Sequence, residues 1–200
     1  MNEIIGVLLA GGKSSRFEGG DKIFATLDGE TLIERAIRKA SKQVDKLILS
    51  INNYESDNLD FKIPIVPDLN FQLVGPLGGI LSTLEWISQN HSYVNNVVYF
   101  AVDVPFFPND IVNTLLKMKK INSCKKLFCV SHEGIIQPLF SLWDVSLRHQ
   151  LKEYLEKDEY KVQYFLKKNS CIVEELKSID AHSFLNVNTK KDLEKLRAYI

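Results

Sequence analysis

Residues 4–10 (IIGVLLA) form an unbroken apolar run that leads straight into Gly11-Gly12. As a strand, such a run has no polar face to turn to water, so both of its faces must be covered. That requires helices above and below a sheet. The chain supplies them: short β-branched runs alternate with segments of helical periodicity, the pattern of a mostly parallel α/β sheet.

The reading places strands at Ile4–Ala10, Leu47–Ile51, Ile63–Val66, Val97–Val102, Leu127–Ser131, Ile136–Trp143 and Cys171–Leu176. Ile23–Leu27 is a short apolar stretch ended by the turn signal Asp28-Gly29. Thr31 and Glu34 have capping-box spacing ahead of a helix whose apolar positions are Leu32, Ile33, Ala36, Ile37, Ala40 and Val44. Further helices are expected over Gly79–Ser88, around Ile111–Met118, near 145–156 and 160–168, and over Lys190–Tyr199. His132-Glu133-Gly134 joins two strands back to back, which predicts a mixed edge on the sheet.

Charge balance narrows the function. Lys plus Arg equals Asp plus Glu, 25 each, so the basic footprint of a nucleic-acid binder is missing. The best apolar stretch, Val97–Val104, is broken by Asp103 and falls short of a membrane span. Glu3 stands where a secretory leader carries basic residues, so no targeting segment is expected. The three cysteines, Cys124, Cys129 and Cys171, are scattered and odd in number, which favours a reducing cytoplasm over a disulfide framework. The four histidines are isolated and read as surface or turn residues.

In open α/β sheets, ligands bind beyond the carboxyl ends of the strands. Four segments there carry chemistry. Residues 9–22 (LAGGKSSRFEGGDK) hold four glycines and the cations Lys13, Arg16 and Lys22. Glycines let backbone N–H groups approach phosphate oxygens, and the cations offset their charge. The spacing is not that of a Walker loop, because Val7 holds the position of its first glycine, and no Gly-x-Gly-x-x-Gly occurs. A solvated loop is the plain alternative. Asp103 leaves the best central strand within AVDVPFFP (101–108), where one carboxylate plus substrate phosphates could hold magnesium. Its alternative is a strand end before a proline turn. Asp68, then Gly75-Pro-Leu-Gly-Gly79, would bring a helix N-terminus close to a ligand, or simply make a tight turn. Asn186 and Asn188 precede Thr189, and Asn188 or Thr189 would also serve as a helix cap.

Taken in order, LAGGKSSRFEGGDK, GPLGGI (75–80), AVDVPFFP, QPLFSLW (137–143) and FLNVNTKKDL (184–193) resemble the molybdenum cofactor guanylyltransferases, the MobA-like branch of the nucleotidyltransferase superfamily. The family patterns are LAGG-x-S-x-R-M-G-x-DK, GPLAGI, CDxPFLP, HPxxALW and FxNxNTPEDL. Phe17, Ala101 and Gln137 depart from their Met, Cys and His.

The resemblance implies a three-layer Rossmann-like fold with a mostly parallel, mixed central sheet. It implies one domain over residues 1–200, its N-terminal half on the nucleotide and its C-terminal half on the pterin acceptor. The implied reaction moves GMP from GTP to the phosphate of molybdopterin, with pyrophosphate leaving. Lys22, Arg16 and Asp103 would be catalytic, with magnesium on Asp103. Leu9, Ala10, Gly11, Gly12, Lys22, Asn53, Asp68, Gly78 and Asp103 would meet GTP, and Asn186 and Asn188 the pterin. Transient contact with molybdenum-insertion and molybdoenzyme chaperone proteins, a cytoplasmic setting, and a monomer or weak oligomer complete the expectation. The alternatives are a CTP-dependent molybdopterin cytidylyltransferase, a sugar- or alcohol-phosphate nucleotidyltransferase, or a non-catalytic nucleotide-binding module.

Overall fold

The opening apolar run becomes strand β1, Ile5–Leu9, buried along its whole length. The structure, a computed structural model, describes residues 3–10, 22–51, 61–68, 75–177 and 179–200. After β1 come a short 3-10 turn (Lys22–Phe24), β2 (Thr26–Leu27), β3 (Glu30–Thr31), α1 (Leu32–Ala40), β4 (Lys46–Ile51) and β5 (Ile65–Pro67). Then follow α2 (Pro76–Asn90), β6 (Asn96–Ala101), α3 (Ile111–Ile121), β7 (Leu127–His132) and β8 (Ile135–Asp144). The chain continues through α4 (Leu147–Leu155), α5 (Val162–Lys168), β9 (Ile172–Glu175) and α6 (Lys190–Arg197).

Seven strands make the main sheet in the order β5-β4-β1-β6-β8-β7-β9. Strands β5, β4, β1 and β6 run parallel. Strand β8 is antiparallel to both of its neighbours, and β7 pairs parallel with β9. The reversed strand therefore lies inside the sheet, with β9 outermost, rather than forming the mixed edge that the sequence pattern predicts. The hairpin fixes β7 beside β8 (Glu133 and Gly134 both have positive φ), but which strand turns inward depends on β6, which lies far away in sequence.

Helices cover both faces, giving three layers. Leu8, Val98, Phe100, Phe128 and Leu142 pack with the inner faces of α1, α3 and α6. Ile5, Val7, Leu9, Tyr99 and Trp143 pack with α2, α4 and α5. The period-2 alternation of a strand thus divides β1 between two cores. Fully burying each such Leu or Val stabilises the fold by about 1.5–3 kcal/mol.

Local signals set the helix starts. Thr31 and Glu34 form the expected capping box, with the Glu34 amide on the Thr31 hydroxyl at 3.3 Å and the Thr31 amide on the Glu34 carboxylate at 2.9 Å. Asp28-Gly29, both at positive φ, joins β2 to β3 as a tight hairpin. Helix α2 begins at Pro76, three residues before the expected Gly79. Proline suits the first helical position, because its missing N–H has no intrahelical partner there.

Candidate functional site

Strand β1 connects through α1 to β4 on one side, and the chain later returns to β6 on its other side. The ends of β1 and β6 therefore flank the switch point of the sheet, the place where open α/β folds bind their ligands. The Ala10 amide bonds to the Ser50 carbonyl at 2.8 Å, and the Val102 amide to the Leu9 carbonyl at 3.2 Å. Asp103 stands two residues beyond β6.

Lys22 reaches this point from the 3-10 turn. Buried Ile23 anchors the turn in the core beneath α1, and the Ala25 amide closes onto the Lys22 carbonyl at 3.0 Å. The Lys22 ammonium lies 2.6 Å from Asp103 Oδ2, and both side chains are largely covered, at 15% and 24% exposure. A charge-assisted hydrogen bond this short, shielded from water, is a strong local interaction. The fold thus brings the cation that follows the glycine-rich segment and the strand-exit carboxylate to one place.

A third group arrives from the far end of the chain. The Val187 amide donates to the Asp103 carbonyl at 2.8 Å, and Asn188 Oδ1 lies 3.5 Å from the Lys22 ammonium. Thr189 caps α6 as expected, its hydroxyl accepting from the Asp192 amide at 3.2 Å. Burial works to raise the Asp192 carboxyl, but hydrogen bonds from the Thr189 hydroxyl and the amides of Asn188 and Thr189 outweigh it, so the group is held below its ordinary range. Asn186 is exposed two residues earlier.

Leu9, Ala10, Asp68 and Gly78 lie at the same end of the sheet. Leu9 and Ala10 are buried at the exit of β1. Asp68 follows β5 and accepts a hydrogen bond from the Ser82 hydroxyl of α2 at 3.2 Å. Gly78 is buried in the first turn of α2. Gly75 precedes that turn at φ 63 and ψ −148, a conformation nearly confined to glycine. A Cβ on Gly79 would come within 2.7 Å of Ser50 Oγ, so this glycine lets α2 lie close against β1 and β4. Gly11, Gly12, Arg16 and Asn53 lie outside the described residues.

The departures have local explanations. Gln137 donates its amide to the Ile135 carbonyl of its own strand at 3.3 Å. Ala101 is buried opposite Leu9 in the β1–β6 ladder. Two histidines depart from the simple surface reading. His182 is wedged between Phe106 and Tyr199. Both ring nitrogens of His132 are buried without a hydrogen-bond partner, beside Phe184. Sequence reasoning missed the tie between Val187 and Asp103, because nothing local marks a backbone amide for a partner so distant.

Among the described residues, no group of three or more His, Cys, Asp or Glu side chains could hold a metal by itself. A single carboxylate at a strand exit, such as Asp103, suits a divalent ion that takes its remaining ligands from phosphates and water. No helix among the described residues is long and apolar enough to cross a membrane.

Comparison with known proteins agrees with this architecture. The MobA-like NTP transferase domain family matches residues 6–172. A molybdenum cofactor guanylyltransferase of Nitrobacter hamburgensis is 38% identical over 154 residues, covering 77% of this chain and 73% of the relative. That of Rhodopseudomonas palustris is 31% identical over 188 residues, 94% of this chain and 87% of the relative. Among solved structures, molybdopterin-guanine dinucleotide biosynthesis protein A of Archaeoglobus fulgidus superposes with a TM-score of 0.79 at 21% identity, over 98% of this chain and 97% of its own. A Mycobacterium tuberculosis protein, Rv0371C, solved as a complex with manganese, superposes with a TM-score of 0.67 at 15% identity, over 99% of this chain and 100% of its own. Sequence match, strand order and the family motifs lead to one assignment: the chain belongs to the MobA-like NTP transferase domain family.

Proposed function

We propose that this nucleotidyltransferase moves GMP from GTP to the terminal phosphate of molybdopterin, releasing pyrophosphate and forming the guanine dinucleotide form of the molybdenum cofactor. One observation carries the reading: the Lys22 ammonium and the Asp103 carboxylate meet at 2.6 Å at the switch point, with Asn188 beside them. Relatives of 31–38% identity bearing the guanylyltransferase name support it.

The residues fit the chemistry. Phosphoryl transfer needs positioning and charge neutralisation more than covalent catalysis. The attacking phosphate is already an anion, so no strong general base is required. Lys22 has three N–H donors and can meet triphosphate oxygens while keeping its place beside Asp103. Arg16 and the amides of Gly11 and Gly12 would add donors to the phosphates. Leu9, Ala10, Asn53, Asp68 and Gly78 would line the nucleotide side, and Asn186 and Asn188 the acceptor side. Asp103 would hold magnesium, which when bound neutralises phosphate oxygens and eases the departure of pyrophosphate.

On this reading residues 1–200 act as one domain, with the nucleotide on its N-terminal half and the pterin on its C-terminal half. A cytoplasmic enzyme, monomeric or weakly associated, would exchange substrate and product with molybdenum-insertion and chaperone proteins.

The test is a parallel titration of GTP, CTP, ATP and UTP with magnesium, followed by pyrophosphate release with molybdopterin as acceptor. Release with GTP well above the other nucleotides is expected. A preference for CTP would make the protein a cytidylyltransferase. Nucleotide binding without release for any acceptor would leave it a binding module.

A further inference from the structure

We infer that Asp192 is a positioning residue for the reacting centre, acting through Asn188 on Lys22; the inference rests on the nucleotidyl-transfer reading above. An ordinary capping box needs two bonds, one from each partner to the other's amide. Here Asp192 Oδ2 takes more. It accepts from the Thr189 amide at 2.9 Å, the Thr189 hydroxyl at 2.9 Å, and the Asn188 amide at 3.1 Å. The last of these fixes the residue before the cap, which the helix itself does not require.

The bond matters because of what lies next to it. The Val187 amide is held by the Asp103 carbonyl, so two consecutive amides are pinned, one to the loop of the acid and one to the helix cap. Between these anchors the backbone of Asn188 is held in place although its side chain is exposed, and its Oδ1 lies 3.5 Å from the Lys22 ammonium. With one N–H on Asp103 and a second facing Asn188, the ammonium keeps a third donor for a phosphate oxygen. Asp192 therefore sets the direction of the cation without touching substrate.

The experiment compares Asp192→Ala with Thr189→Ala, which damages the same cap but leaves the Asn188 amide bonded. Melting temperature, Kd for GTP with magnesium by calorimetry, and kcat/KM from pyrophosphate release are read for each. Both variants are expected to melt earlier. Asp192→Ala is expected to weaken Kd and kcat/KM about tenfold or more, as loss of an orienting outer group does. Thr189→Ala is expected to stay near the wild type in both, and Asp192→Asn, which keeps an acceptor oxygen, to recover much of the loss. In an Asn188→Ala background, Asp192→Ala should bring no further loss of affinity while still lowering the melting temperature. Equal kinetics and affinity in Asp192→Ala and Thr189→Ala would overturn the inference, as would full additivity with Asn188→Ala. Should Asp192→Ala not fold, Asp192→Ser, too short to reach the Asn188 amide, takes its place, and its full additivity with Asn188→Ala overturns the inference in the same way. If the wild-type protein binds none of the four nucleotides, the nucleotidyl-transfer reading falls and takes the inference with it; if it binds and the variants do not differ, the inference alone falls.

Discussion

Removing the Asp103 carboxylate leaves the Lys22 ammonium, among the described residues, with Asn188 Oδ1 at 3.5 Å. Losing one preorganised charge partner of a phosphoryl-transfer site costs about 3–4 kcal/mol, a factor of hundreds in rate. Asp103→Ala is therefore expected to fold, by circular dichroism, and to lose most pyrophosphate release. Near-wild-type turnover would remove Asp103 from the mechanism. Lys22→Ala is expected to weaken both GTP affinity and rate, and unchanged values of both would exclude its role. In the sequence, a cation in a glycine-rich turn and an acid at a strand exit each had a plain structural alternative, and only the resemblance of the five motifs singled them out; the structure brings the two to 2.6 Å. Asn188 was legible as a cap or acceptor residue, but not as a neighbour of Lys22. The two are 166 positions apart, and no local pattern reports such a distance.

At the scale of elements, α2 begins earlier than the sequence predicts. The sequence places the helix over Gly79–Ser88, with Gly75-Pro-Leu-Gly-Gly79 at its N-terminus or in a tight turn, yet the helix takes the run in from Pro76. Backbone closeness explains the choice of residue. Gly79→Ala gains about 1 kcal/mol of helix propensity. It loses about 1–3 kcal/mol by overpacking, because the new Cβ would meet buried Ser50 Oγ at 2.7 Å. A net loss of about 1 kcal/mol is expected, read as a lower midpoint in urea unfolding. Gly75→Ala meets open space but keeps a positive φ, so strain alone should cost about 1–3 kcal/mol. The seven strands of the main sheet were legible, whereas the β2–β3 hairpin and the strand neighbours were not. The thiols of Cys129 and Cys171, scattered in sequence, lie 3.6 Å apart where the chain enters β9 beside β7.

Across the whole molecule, several carboxyls are held below their ordinary range. Hydrogen bonds from Arg38 lower Glu30, and those from Thr31 lower Glu34, each from 4.5. At Asp192, burial opposes the shift but hydrogen bonds from Thr189 and Asn188 prevail, lowering it from 3.8. A carboxyl lowered by folding stabilises the fold fully above its unfolded value, and that contribution vanishes as pH falls through its folded value. Melting temperature is therefore expected to hold between neutrality and about pH 5 and to drop below that, with Glu30→Gln showing a shallower acid decline. An unchanged acid profile in that variant would show that Glu30 contributes nothing to the acid transition. The bond from Val187 to the Asp103 carbonyl has a consequence in time as well as space. A growing polypeptide holds β1, β6 and Asp103 long before Val187 and Asn188 are translated. Any early compact form lacks this tie to the Asp103 loop until that late stretch arrives.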